Sequence, residues 1–186
     1  LKLAGASQFP AQYVEYVKGL EPGWGFATVR YFLDRPAMPH KMYMVWSDDS
    51  WWNLERAKRV SAGHEPDEVI MFITVPCNFD PSMAPPGKQC LIAGTICSPD
   101  PKAAEIDMLY RKLDELLARC FPEAWAAVER REVDGPAEVS AHTRDSVLPG
   151  QGGECVGIGQ IVGQCGTRKP SPRTPVAGLF LAGCDA

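Results

Sequence analysis

The sequence predicts an α+β fold, a largely antiparallel sheet with flanking helices. Three observations carry that expectation. Apolar runs with strand character at Phe26–Leu33, Glu68–Val75 and Gln89–Cys97 alternate with turn-rich segments. The last two of these runs are separated only by a loop, which suits antiparallel neighbours. One long amphipathic pattern, from Pro101 to about Cys120, reads as a helix that covers the sheet.

In chain order, Gln12–Leu20 places Tyr13, Val14, Tyr16, Val17 and Leu20 on one helical stripe, stopped by Glu21-Pro22-Gly23. Phe26–Leu33 is rich in β-branched and aromatic residues, and Lys41–Trp46 is a second short strand. A helical turn between Ser50 and Ala62 is expected to be capped by Asp48, Asp49 or Ser50. Glu68–Val75 is the most continuous apolar run and ends at Pro76. Four of the eight residues Asp80–Gly87 are Pro or Gly, so no regular element crosses them.

For the long helix, Asp100 is the expected N-cap and Pro101 falls in the first turn. Ile106, Leu109, Leu113, Leu116, Leu117 and Cys120 form its buried stripe. A short helix at Glu123–Val128 leads to a strand over Glu129–Thr143, interrupted at Gly135-Pro136. The composition then becomes glycine-dense from Leu148 to Gly166. A proline-fixed segment, Thr167–Pro175, precedes an expected buried strand at Val176–Gly183.

The 186 residues carry a net charge of -4 with a pI near 5.4, which argues against a nucleic-acid surface. Seven cysteines, an odd number without Cys-x-x-Cys spacing, point to free thiols in a reducing cytoplasm. No apolar run approaches the roughly 20 residues of a membrane-spanning helix, and no signal peptide is visible. His40, His64 and His142 have no motif partners, so no metal site is expected.

Two stretches point to chemistry. The apolar set Met38, Met42, Tyr43, Met44, Val45, Trp46, Trp51 and Trp52 suits either a lipophilic channel, with Met44 and Trp46 in contact with substrate, a peripheral membrane contact, or ordinary core packing. At the C-terminal end, a strand closing on Gly183-Cys184-Asp185 would set a glycine and a carboxylate at a sheet edge. There the backbone can approach a phosphate or ribityl chain, and the acid can accept from a hydroxyl.

Thr174–Ala186 (TPVAGLFLAGCDA) resembles the C-terminal flavin motif of the phytoene desaturase, carotenoid isomerase and retinol saturase group of FAD-dependent oxidoreductases. The segment VPCNFDPSMAPPGKQCLIAG is similar to a loop between two strands of the same group. A looser likeness covers the helix at Tyr13–Leu20 and the strand after it.

The resemblance implies a substrate domain at 1–147 and a return segment at 148–186 toward an FAD domain, with the C-terminal strand belonging to that domain. It implies that Gly183 and Asp185 contact FAD, although Cys184 separates a Gly and an Asp that are adjacent in the group's usual form. It also implies a hydrophobic polyene or isoprenoid-like substrate; the catalytic residues stay unknown.

No Gly-x-Gly-x-x-Gly follows a strand, and CVGIGQIVG lacks the third glycine and the downstream acid. The chain is therefore expected to be a middle-to-C-terminal piece that neither binds FAD nor turns over by itself. Gly157 and Gly159 then read as a close-approach segment facing substrate or flavin, or as a surface loop. An amine-oxidase-like flavoprotein and a non-catalytic apolar-ligand or partner-binding domain are the alternatives.

Overall fold

The computed structural model describes residues 4–50, 53–139, 141 and 157–183. It divides into two compact units, Gly25–Val139 and a second built from residues on either side of it in sequence.

The larger unit is a five-stranded antiparallel sheet. Its strands are β1 (Gly25–Leu33), β2 (Met42–Val45), β3 (Met71–Thr74), β4 (Gln89–Cys97) and β5 (Val128–Asp134), in the order β2-β3-β4-β1-β5. Along β1 every second residue points into the core, so Ala27, Val29, Tyr31 and Leu33 are fully enclosed. They meet Leu91 and Ala93 of β4 and Leu109, Leu113 and Leu117 of the long helix α3 (Ala103–Cys120) in one hydrophobic cluster. The α+β architecture thus arises from two periodicities meeting, period 2 in the strands and 3.6 in α3.

Several boundaries differ from the sequence expectation, each for a local reason. The helix α2 (Leu54–Ser61) is capped by Asn53, whose side chain accepts from the Arg56 N–H at 2.9 Å. Ser50 is unavailable for that role, because its hydroxyl accepts from Ser47 N at 2.7 Å and donates to Ser47 O at 2.9 Å. Helix α3 starts two residues after Pro101 and has no side-chain cap at Lys102. In its first turn the buried Glu105 carboxylate instead accepts from Ser98 N at 2.8 Å and from the Ser98 hydroxyl, which fastens the end of β4 to the helix.

Cys120, expected on the buried stripe, is exposed at the last helical residue, and Ile106 is half-buried. The short helix after α3, α4, spans Pro122–Ala126. Strand β3 keeps only four laddered residues because its partner β2 is four residues long. After β5 the chain turns helical instead of resuming a strand. The Glu138 carboxylate reaches back to accept from Gly135 N at 2.8 Å, as an acid three residues into a helix commonly does.

In the smaller unit, α1 (Ala11–Lys18) carries Tyr13 stacked on Phe9 at 5.4 Å between ring centroids. The chain then pairs Pro22 with Ile158 through an isolated bridge. The strand expected at Val176–Gly183 is absent from the described residues. Gly178 adopts φ 78°, a left-handed value that a strand excludes, and the chain bends back so that Arg173 bridges Phe180. Thr174 holds the bend, its hydroxyl donating to Leu179 O at 2.9 Å. Cys184, Asp185 and Ala186 lie outside the described residues, as do Trp51, Trp52, His142 and Cys155.

Candidate functional site

The sheet has two faces, and α3 covers only one. On the other, the strand register aligns Met44, Phe72, Gly94, Thr28 and Asp134 in one row and Met42, Thr74, Ile92, Arg30 and Glu132 in the next. Met42 is 64% exposed, Met44 54% and Trp46 55%, with Phe26 at 43%. Phe72 and Ile92 are half-buried between them. Large apolar side chains adjoining one another in solvent are the informative kind of exposure, because scattered ones need no explanation.

The face changes character across its width. Over β2, β3 and β4 its described side chains are apolar or small. Toward β5, Arg30 pairs with Asp134 at 2.7 Å and with Glu132 at 3.6 Å, and Arg130 pairs with Glu132 at 2.6 Å. The Arg130 guanidinium also lies 4.0 Å from the centroid of the Phe32 ring. The result is an apolar field bordered by ions that neutralise one another.

The edge strand β2 is positioned by a polar clasp that spacing alone does not announce. Gln89 accepts from Ala37 N and Met38 N, both at 2.9 Å, and donates to Met38 O at 2.9 Å. Asn78 donates to Met38 O and His40 O, both at 2.8 Å. Every polar atom of the Met38 backbone is thereby satisfied, and the segment entering β2 is fixed. Amides carry no periodic signature, so neither Gln89 nor Asn78 could be singled out from spacing.

Beyond the end of β3 at Thr74, the Cys77 sulfur takes over as partner to β4. It accepts from Cys90 N at 3.5 Å and donates to Cys90 O at 3.8 Å. Burial, then the neighbouring Cys77, push the Cys90 thiol above its ordinary value, so it stays protonated and unreactive at neutral pH.

Of the residues singled out in the sequence, Met44 stands on the open face, and Trp46 is exposed just past the end of β2. Gly157 and Gly159 belong to the smaller unit and press on the chain's own backbone. Gly157 O accepts from Gly23 N, and Gly159 N donates to Glu21 O, both at 2.8 Å. A methyl group at Gly159 would come within 3.0 Å of Pro22 O, so the close approach that glycine permits is to Glu21–Gly23. The buried Gln164 completes that contact, accepting from Glu21 N at 2.6 Å and donating to Glu21 O at 3.0 Å.

Gly183 is exposed at φ 133°, with open space where a side chain would stand. Backbone of that kind can approach a phosphate or sugar closely. Asp185 lies outside the described residues.

A separate half-open depression of about 440 Å³ is lined by charged and polar groups, among them Asp48, Asp49, Arg56, Arg59, His64 and Asp67. Among the described residues no group of three His, Cys, Asp or Glu side chains could hold a metal ion, and no helix is long and apolar enough to cross a membrane. No protein-family model matches the chain, and no curated protein sequence matches it significantly.

Proposed function

We propose that this chain is the substrate-domain portion, with one edge of the cofactor region, of an FAD-dependent oxidoreductase resembling phytoene dehydrogenases. The substrate is a hydrophobic polyene or isoprenoid-like molecule. The observation that carries the reading is the uncovered apolar face of the sheet, where Met42, Met44 and Phe26 are exposed, with Trp46 exposed just past the end of β2. Support also comes from the resemblance of the Thr174–Ala186 and Val75–Gly94 segments to that group.

FAD, when bound, would supply the hydride transfer. The chain's own contribution is to bind and orient an apolar chain and keep water from it. Met44 and Trp46 would contact the substrate, flexible thioethers and a flat indole suiting greasy molecules of varied shape. Gly183 and Asp185 are the residues assigned to the cofactor. Gly157 and Gly159, occupied with Glu21–Gly23, act at most by shaping the segment that carries them. No catalytic acid or base is assigned.

The test is to produce the protein together with its FAD-binding portion. It is expected to purify yellow and to lose flavin absorbance when mixed anaerobically with an isoprenoid such as phytoene, which gives up a hydride to the flavin and a proton as a new C=C bond forms. Met44→Asp or Trp46→Asp should keep the flavin but raise KM at least tenfold, since an ionised carboxylate against an apolar chain costs more than the roughly 1.4 kcal/mol of a tenfold change. A complete protein that is colourless and takes up no FAD refutes the reading. The same open face would serve a domain that binds apolar ligands or a partner without catalysis, and a colourless protein that still binds retinol through Met44 would select that alternative.

A further inference from the structure

One contact on the open face bears on which apolar chains it accepts. Gly94 lies mid-row between Phe72 and Thr28. A methyl group there would fall 2.6 and 2.7 Å from two atoms of the Phe26 ring and 2.9 Å from the Thr28 methyl. The Phe26 ring is therefore laid against the β4 backbone, in space that any other residue at 94 would fill. This explains why Gly94 is buried on a face that is otherwise open. From that seat Phe26 reaches Phe72, at 6.0 Å between ring centroids and an interplanar angle of 41°.

Charge indicates the kind of occupant. Arg30, Arg130, Glu132 and Asp134 neutralise one another within 3.6 Å, so the border of the face matches an uncharged molecule and gains nothing from an anionic one.

We propose that Phe26, seated on Gly94, is the specificity-determining residue of this face. With Phe72 it forms an aromatic floor that favours uncharged, flat conjugated chains over saturated chains of the same length. This rests on the substrate-wall reading above and adds to it a residue and a discrimination. A conjugated chain can lie flat on the two rings, whereas the staggered hydrogens of a saturated chain hold it off. Contacts between π systems of this sort change affinity by about two- to tenfold beyond simple area burial.

The experiment compares the dissociation constants of all-trans-retinol and phytanol, a conjugated and a saturated C20 alcohol, on the complete FAD-loaded protein. The wild type should prefer retinol by about five- to tenfold. Phe26→Leu, which keeps apolar bulk but removes the ring, should bring the ratio below about twofold while phytanol binding holds steady. Gly94→Ala, which displaces the ring without removing it, should do the same, and Phe26→Tyr should retain the preference.

Should Gly94→Ala fail to fold, Phe26→Leu decides alone, because Phe26 is exposed and its loss leaves the core intact. A ratio unmoved by Phe26→Leu overturns the proposal and leaves the substrate wall standing. If the folded wild type binds neither alcohol, the substrate wall falls and this proposal with it. A wild type that dimerises through this face, with Phe26→Leu dissociating it, makes the face an interface between copies and overturns the proposal as well.

Discussion

On one side of the sheet Tyr31, Ile73 and Leu91 are wholly enclosed beneath α3; at alternate positions of the same strands, Phe26, Phe72 and Ile92 belong to the side that α3 leaves uncovered. Both sides are apolar, but only the first is packed within the larger unit. Apolarity on the enclosed side secures stability, since burial there removes surface from water. On the exposed side it leaves contacts unmade, and such a surface is kept where something else is to make them. Strand alternation therefore reports two separate roles through residues of the same type.

The two sides should differ most visibly in a pair of truncations. Leu113→Ala, at a fully buried position on α3, should cost about 3 kcal/mol, the usual range for such a cavity being about 2–5. Met44→Ala on the open face should cost less than about 0.5 kcal/mol, as surface changes do. Urea melts of the two variants check both values, and comparable losses would mean that the open face is packed after all.

A smaller effect is expected at the phenol enclosed on β1. The Tyr31 hydroxyl donates to Asp114 at 2.7 Å, and burial together with Asp114 pushes its ionisation far above the ordinary phenol value. Tyr31→Phe should cost about 1.5 kcal/mol, the lower end for a bond to a charged acceptor, because Arg131 continues to serve Asp114 at 3.0 Å. A melt within error of wild type would show the bond to be dispensable.

The smallest effect concerns how the covering helix is held. Arg111 and Lys112 of α3 draw the Glu65 carboxyl down from its ordinary 4.5 to about 2, and Arg119 lowers Glu68. A lowered folded value means that the contribution is complete above the unfolded value and is lost as pH falls through the folded one. Stability should therefore decline between pH 4.5 and about 2, and Glu65→Gln should flatten that part of the curve. Tryptophan fluorescence against pH is the measurement. Because these pairs are exposed, a steep loss would point instead to buried groups.

The main frame was legible because its signals are local and repeated. β1, β4 and α3 each hold their period over nine or more residues, and they fall where the apolar pattern places them. What misled was competition for single groups. Ser50 could not cap α2 once its hydroxyl was engaged by Ser47, and Pro136 began a helix because Glu138 could serve Gly135.

The C-terminal run VAGLFLAG reads as a strand by composition, but Gly178 turns it where, among the described residues, no neighbouring strand enforces extension. Met44 and Trp46 could be found from their type and spacing. Phe26 and Gly94 could not be paired in advance, since their proximity depends on a register between strands more than sixty residues apart.

That separation has a temporal side. β1 is the inner strand of the sheet's older half, yet its neighbours are β4 and β5, both made much later. On a ribosome adding about 5–20 residues per second, β1 waits on the order of 3–12 s for β4 to emerge. Throughout that interval its nine residues, with Tyr31 and Leu33 among them, are an apolar ribbon with both edges unpaired. The nascent chain thus has a window in which a chaperone has most to protect, and it closes when Gln89–Cys97 arrives.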